Sequence, residues 1–252
     1  MIRVEHLTKA FNGHPVLQDV SLEIHEGETL AIIGRSGSGK SVLMKHIIGL
    51  MKPDSGRVFV DGTDISSISY SELRLVRRQF GVLFQGGALF DSMSAFDNVA
   101  FPLHTFTRKS EDDIRRETQK CLDLVHLPHV GAVNPSELSG GMRKRVALAR
   151  AIALRPRYII YDEPTSGLDP ETSSTINELI KGLARQLEIT SIVVTHDMHS
   201  VLAIADRVAF IHNARMHWVG SINDLHSSED EVLHAFVKAN EYFIGAAASG
   251  AS

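Results

Sequence analysis

Short apolar runs alternate with helically spaced apolar positions along most of the chain. Thr29-Leu30-Ala31-Ile32-Ile33 has the length and continuity of a buried strand, and Val42 to Ile48 follows with the spacing of a helix. Before it, Val20, Leu22 and Ile24 alternate with polar residues as on a half-buried strand, and Ile2 to Leu7 alternates enough to predict an edge strand. Lys52-Pro53-Asp54-Ser55-Gly56 is a dense turn signal that leads into a strand over Arg57 to Gly62. A helix over Ser71 to Arg78 and an apolar strand over Phe80 to Phe84 come next. At Gln85 the alternation stops. Glycines at 86 and 87, scattered aromatics and a long charged helix from about Ser110 to Val125 take its place. It resumes with a helix over Arg143 to Leu154, a strand over Arg157 to Glu163, a helix over Glu171 to Gln186 and a strand over Ser191 to Thr195. The expectation is an α/β chain whose core takes in residues 1–85 and 139–226, with 86–138 inserted as a helical subdomain and 227–252 as a C-terminal helix and tail.

Composition narrows the class. The chain has 252 residues, 43% of them hydrophobic, enough to bury one large domain or a domain with a subdomain. Its 26 basic and 30 acidic residues give a formal charge of −4 without a basic block, so nucleic acid is not expected as a ligand. Arg74, Arg77 and Arg78, and the triplet Arg143-Lys144-Arg145, read as solvated helix faces. The single cysteine, Cys121, reads as a half-buried helix position in a reducing compartment. The charged start MIRVEHLTKAF does not resemble a signal peptide, and no run approaches the roughly 18 apolar residues of a membrane span. The expected location is the cytoplasm, with any membrane role exercised through a partner.

The chemistry is concentrated at strand ends. Gly34-Arg35-Ser36-Gly37-Ser38-Gly39-Lys40-Ser41 lies between an apolar strand and a helix, the setting of a phosphate-binding loop. Glycines 34, 37 and 39 free the backbone to turn its N–H groups around an anion, and the helix start adds partial positive charge. Lys40 can reach the β- and γ-phosphates and the Ser41 hydroxyl can ligate Mg²⁺, so the expected ligand is a nucleoside triphosphate. A chance glycine-rich turn is the weaker reading. Leu138-Ser139-Gly140-Gly141-Met142 opens a second helix, with Ser139 placed to cap it and two glycines leaving its first amides open to an anion; a well-capped helix and nothing more is the plain alternative. Asp162 and Glu163 end an apolar strand, where carboxylates can hold Mg²⁺ and orient an attacking water or simply cap the next turn. His196 follows another strand, and Phe11 lies in a turn where its ring could stack on a purine or cover the core.

Taken in order, these motifs resemble the ATP-binding subunit of ABC transporters along nearly all of the first 225 residues. GRSGSGKS is similar to the Walker A motif, Gln85 to the Q-loop, LSGGM to the signature, YIIYDE to the Walker B strand, SGLD to the D-loop and His196 to the switch histidine. The resemblance implies a P-loop NTPase fold, a RecA-like core with an antiparallel β-subdomain and an inserted α-helical subdomain. It also implies that Phe11 stacks on adenine, that Gly34 to Val42 (Arg35, Ser36 and Ser38 included) surround the phosphates, and that Ser41, Gln85 and Asp162 hold Mg²⁺. Glu163 would polarise the attacking water and His196 would contact the γ-phosphate. Ser139, Gly140, Gly141 and Asp169 would serve ATP held by a second copy in a head-to-tail dimer. Met142 stands where the family usually has glutamine, Phe11 replaces the commoner tyrosine, and Arg35 occupies a variable position.

Residues 81–103, together with Pro135-Ser136-Glu137, look like the corresponding stretches of the Mla/Mce-type lipid transport ATPases. That resemblance implies an integral membrane permease and an MCE-type substrate-binding protein as partners, phospholipid or another hydrophobic compound as cargo, and a place on the cytoplasmic face of the inner membrane. A non-transport ABC ATPase and an importer ATPase for polar solutes are the alternatives. Near the C-terminus, Ser228 and Glu231 have capping-box spacing, and Val232, Leu233, Phe236 and Val237 can form an apolar stripe. The stripe packs on its own domain or, with Tyr242 and Phe243, contacts a second subunit or accessory protein. Gly245 to Ser252 reads as a flexible tail.

Overall fold

The first two strands, β1 (Ile2–Phe11) and β2 (His14–Ile24), form a long hairpin with Ile2 opposite Ile24 and Phe11 opposite His14. This computed structural model describes residues 1–248, with side chains described for all of them except 226 and 241–248. Strands β4 (Ser55–Val60) and β5 (Thr63–Asp64) complete an antiparallel sheet in the order β2-β1-β4-β5. The expected edge position of Ile2 to Leu7 is therefore corrected: β1 is interior, with Val4 opposite both Leu22 and Val58. Register shifts against β2, between Val4 and Leu7 and again between Leu7 and Lys9, break its alternation.

The residues group into two compact units, 1–77 with 192–252 and 78–191. In the first, β3 (Thr29–Ile33) is buried throughout and pairs in parallel with β9 (Arg207–His212), from Leu30 opposite Arg207 to Ile33 opposite Phe210. β10 (Arg215–Ser221) pairs antiparallel with β9. Helix α1 (Lys40–Ile47) follows β3 through the glycine-rich loop and starts two residues earlier than its apolar spacing implied. Helix α2 (Tyr70–Arg77) delivers Arg77, whose guanidinium donates to the Ile48 and Gly49 carbonyls at the C-terminal end of α1. Arg77 is thus a partly buried clamp on orphan carbonyls rather than part of a solvated face.

Helices α7 (Met198–Ile204), α8 (Ile222–Ser227) and α9 (Glu231–Ala248) also belong to this unit. Leu233 and Phe236 of α9 are buried among Ala31, Ile33, Val208 and Phe210, and the Phe236 and Phe210 rings lie 5.0 Å apart. The own-domain reading of this stripe holds for Leu233, Phe236 and Val237, whereas Val232 is exposed. The helix cap is also corrected. Asp230, not Ser228, accepts the Leu233 amide at 2.8 Å, because Asp230 is additionally fixed by His217 Nε2 at 2.9 Å. The α9 backbone continues through the first four residues of the expected tail. Positions 249–252 lie outside the described residues, and Tyr242 and Phe243 outside the described side chains.

In the second unit, β6 (Phe80–Leu83) and β7 (Tyr158–Asp162) pair in parallel, Leu83 opposite Tyr161. Helices α3 (Ala95–Phe106), α4 (Glu111–Leu124) and α5 (Gly140–Ile152) pack together, and α6 (Pro170–Gln186) lies beside α5. Helix α3 escaped the periodicity because Pro102 sits inside it. Its buried Asn98 donates to the carbonyls of Phe90, Met93 and Ser94 and accepts the Phe90 amide, which fixes the preceding loop. Cys121 on α4 is fully rather than half buried, since α3 and α5 both pack on that helix. Strand β8 (Thr190–Val194) begins in this unit and ends in the first.

Candidate nucleotide-binding site

In the first unit the loop after β3 has the shape its glycines require. Gly37 and Gly39 have φ of 77° and 104°, and a Cβ on Gly39 would come within 2.6 Å of the Val16 carbonyl oxygen of β2. A Cβ on Gly34 would meet the Ile211 carbonyl oxygen at 2.5 Å. These approaches seat the loop between β9 and the β1–β2 hairpin, where Phe11 is the last residue of β1, paired opposite His14, rather than part of the turn as expected; it is 41% exposed. Lys40 is 7% exposed, and its Nζ donates to the Gly34 carbonyl at 2.8 Å and the Arg35 carbonyl at 3.1 Å.

Gly39 at the cap of α1 offers no side-chain hydrogen bond, and the first turn holds no acidic residue. The Ser38 hydroxyl is buried without a hydrogen-bond partner. Uncapped amides, an orphaned hydroxyl and a cradle that a Cβ would fill all fit a bound phosphate. The Thr195 amide donates to the Ile32 carbonyl at 3.2 Å, so the turn carrying exposed His196 lies beside the end of β3. Phe11, Gly34 to Val42 and His196 thus share one unit.

The second unit holds Gln85, Ser139, Gly140, Gly141, Asp162, Glu163 and Asp169. Ser139 caps α5, accepting the Met142 amide at 3.2 Å, as its sequence position implied. Asp169 caps α6 by accepting the Thr172 amide at 2.9 Å, and the Thr172 hydroxyl at 2.6 Å holds its carboxyl below the usual carboxylate range. The two helix starts interlock: a Cβ on Gly140 would touch Leu168 at 3.4 Å, and one on Gly141 would overlap Thr172 Cγ2 at 2.4 Å. Asp162 ends β7, and Glu163 follows in the left-handed region with φ of 48°, an uncommon conformation for a residue with a side chain. Gln85 Nε2 donates to Ser166 Oγ at 3.4 Å. Gln85 and Asp162, both in this unit, carry amide and carboxylate oxygens, hard donors of the kind that Mg²⁺ takes. Among the described residues no cluster of three or more His, Cys, Asp or Glu suggests another metal.

Sequence reasoning missed two cations on α5. Lys144 is 6% exposed rather than solvated, and its Nζ reaches the carbonyls of Glu163, Pro164 and Ser166 at 3.0, 2.6 and 3.0 Å. Burial pushes its pKa down, while the Glu163 charge raises it. Arg150 donates to the carbonyls of Gly87 and Ala88, securing the segment that leaves Gln85. The signal for Lys144 was its position: it lies three residues after Gly141, three before Ala147 and four before Leu148, on the buried stripe of α5.

The loop, its strand-to-helix setting and the carboxylates at the end of a parallel strand define a P-loop nucleoside triphosphatase. Residues 17–166 match the family model described as ABC transporter, and the chain belongs to that family as an ATP-hydrolysing ATP-binding cassette. Over 236 residues it is 42% identical to a probable ribonucleotide transport ATP-binding protein of Mycobacterium leprae, covering 94% of this chain and 68% of that one. It is 43% identical to the intermembrane phospholipid transport system ATP-binding protein MlaF of Haemophilus influenzae, covering 94% and 90%. A methionine import ATP-binding protein of Rhodospirillum rubrum is 41% identical over 94% of this chain and 69% of its own length. A dimeric ATP-binding cassette solved in a post-hydrolysis state with ADP and Pi superposes with a TM-score of 0.81 at 33% identity, covering 88% of this chain and 99% of that one. Among the described residues no helix is long and apolar enough to cross a membrane.

Proposed function

We propose that this ATPase drives an integral membrane permease that moves phospholipid or another hydrophobic compound, with an MCE-type protein presenting the cargo. The observation that carries this reading is the match to MlaF, which spans nearly the whole of both chains. The cassette then sits peripherally on the cytoplasmic face of the inner membrane. Residues 1–85 and 139–226 form its ATPase core, and 86–138 a helical subdomain turned toward the permease.

In the catalytic cycle, Phe11 stacks on adenine while the amides from Arg35 to Val42 surround the phosphates. Lys40 leaves the Gly34 and Arg35 carbonyls to pair with the β- and γ-phosphates. Ser41, Gln85 and Asp162 would hold Mg²⁺, which would supply positive charge to offset that of the phosphates. Glu163 orients and polarises the attacking water, and His196 hydrogen-bonds the γ-phosphate. Ser139, Gly140, Gly141 and Asp169 close over ATP held by a second copy, so turnover requires the dimer.

The importer reading has a specific observation behind it, the methionine importer at 41% identity, and one experiment separates the two. Tagged protein is purified from gently solubilised native membranes, and its partners and bound lipids are identified by mass spectrometry. A multi-span permease with an MCE-type protein and enriched phospholipid is the expected result. A permease with a soluble solute-binding protein and no lipid enrichment would replace the lipid reading with import, and a non-membrane partner would replace both.

A further inference from the structure

We propose that Lys144 is a positioning residue for hydrolysis, fixing the backbone of Glu163 from the helix that begins with the LSGGM segment. This rests on the reading of Glu163 as the group that acts on water. The loop from Glu163 to Ser166 leaves β7 with its first residue in the left-handed region, where a side chain is strained and persists only if its surroundings over-determine it. Part of that determination is on the same chain segment, where the Ser166 amide donates to the Glu163 carbonyl at 3.2 Å. A further part comes from α5. A lysine ammonium has three donors, and Lys144 Nζ has three backbone carbonyls within 3.0 Å, one of them belonging to Glu163 itself.

The same loop is engaged by two other parts of this unit. Gln85 reaches Ser166, and the first turn of α5 meets Leu168 and Thr172 beyond it. Lys144 lies one turn further along α5 and inserts a buried cation beneath the peptide that carries the Glu163 carboxylate. The ammonium is attracted to three carbonyl dipoles in a site largely closed to water, so the bonds are strong and the loop is held at a point rather than along a surface. Displacing α5 therefore moves the Glu163 peptide with it. A shift of about 1 Å in a reacting group lowers a rate by roughly 100-fold, which is the sensitivity this contact would control.

The test is steady-state ATP hydrolysis by the full-length protein, scored per nucleotide site, with ATP affinity and melting temperature measured on the same samples. Lys144→Met keeps length and shape and removes every donor. It should lower kcat by about 10- to 100-fold with KM for ATP within about twofold of the parent. Lys144→Gln, with two donors, should recover part of that loss and also serves if the Met variant does not fold. Unchanged kcat in the donor-free variant would overturn the inference, as would a fall in kcat matched by equal losses of ATP affinity and thermal stability. Glu163→Gln in the same assay separates the two layers: if it keeps full turnover, the glutamate reading and the inference fall together. If it is inactive while Lys144→Met turns over normally, only the inference falls.

Discussion

Replacing Gly141 by alanine sets two opposing effects against each other, and the structure decides between them. Alanine is the better helix former and on that ground would stabilise α5 by up to about 1 kcal/mol. Its methyl, however, would sit 2.4 Å from Thr172 Cγ2, more than about 1 Å inside the 3.5–4.0 Å of an ordinary carbon contact. Thr172 cannot simply rotate away, because its hydroxyl is committed to Asp169 at 2.6 Å and its amide to the same carboxylate at 2.9 Å. Overpacking of this kind costs about 1–3 kcal/mol, so against the full helix gain the net loss should reach about 2 kcal/mol, or up to roughly 8 °C in melting temperature for a chain of this length. Circular dichroism melts of the nucleotide-free protein measure it. Thr172→Ser removes the methyl that clashes and keeps the hydroxyl, so in that background Gly141→Ala should be neutral or stabilising. The same loss in both backgrounds, or a gain from Gly141→Ala alone, would refute the argument.

Three further outcomes are expected. His46 on α1 is buried with Nδ1 at 2.7 Å from the Val42 carbonyl, and burial pushes its pKa below the ordinary 6.5. The unfolded chain then binds the extra proton, so stability is full above about pH 6.5 and falls as the pH drops below it. Melting temperatures between pH 7.5 and 5.5 should converge in His46→Gln, and an identical pH slope in parent and variant would exclude His46 as the source. Phe236→Ala empties a buried ring position against Phe210 and should cost roughly 3–5 kcal/mol in chemical denaturation, whereas a loss below about 1 kcal/mol would mean that α9 is not docked as described. Lys40→Ala should lose binding of a fluorescent ATP analogue, and undiminished binding would remove Lys40 from the phosphate site.

Strand ends and phosphate loops were legible because their residue types are dictated locally. Gly39 must be glycine where a Cβ would lie 2.6 Å from the Val16 carbonyl oxygen, and Ser139 announces a helix start by its own hydrogen bond. The interior place of β1 was not legible, because its second partner is β4, paired from Ile2 opposite Val60 to Thr8 opposite Ser55, and nothing in the segment itself announces that pairing. Helix α3 was hidden by Pro102, whose cost is offset by tertiary packing and by the bonds of Asn98 to the preceding loop. Asp230 displaced Ser228 as the cap of α9 through a bond to His217, 13 residues away in sequence. Lys144 was concealed within a basic triplet: charge patterning treats such residues alike, while the fold buries Lys144, half-buries Arg145 and leaves Arg143 exposed.

The single cysteine has a practical consequence. Burial pushes the Cys121 thiol up to about 11, so at neutral pH the thiolate that attacks maleimides and disulfides is scarce, and the sulfur is enclosed besides. The chain is in effect a cysteine-free background without any mutation. A reporter cysteine placed on exposed Val232, away from the residues of the nucleotide site, should take a spin label or fluorophore alone, so nucleotide-dependent changes can be followed by spectroscopy in an otherwise unaltered sequence.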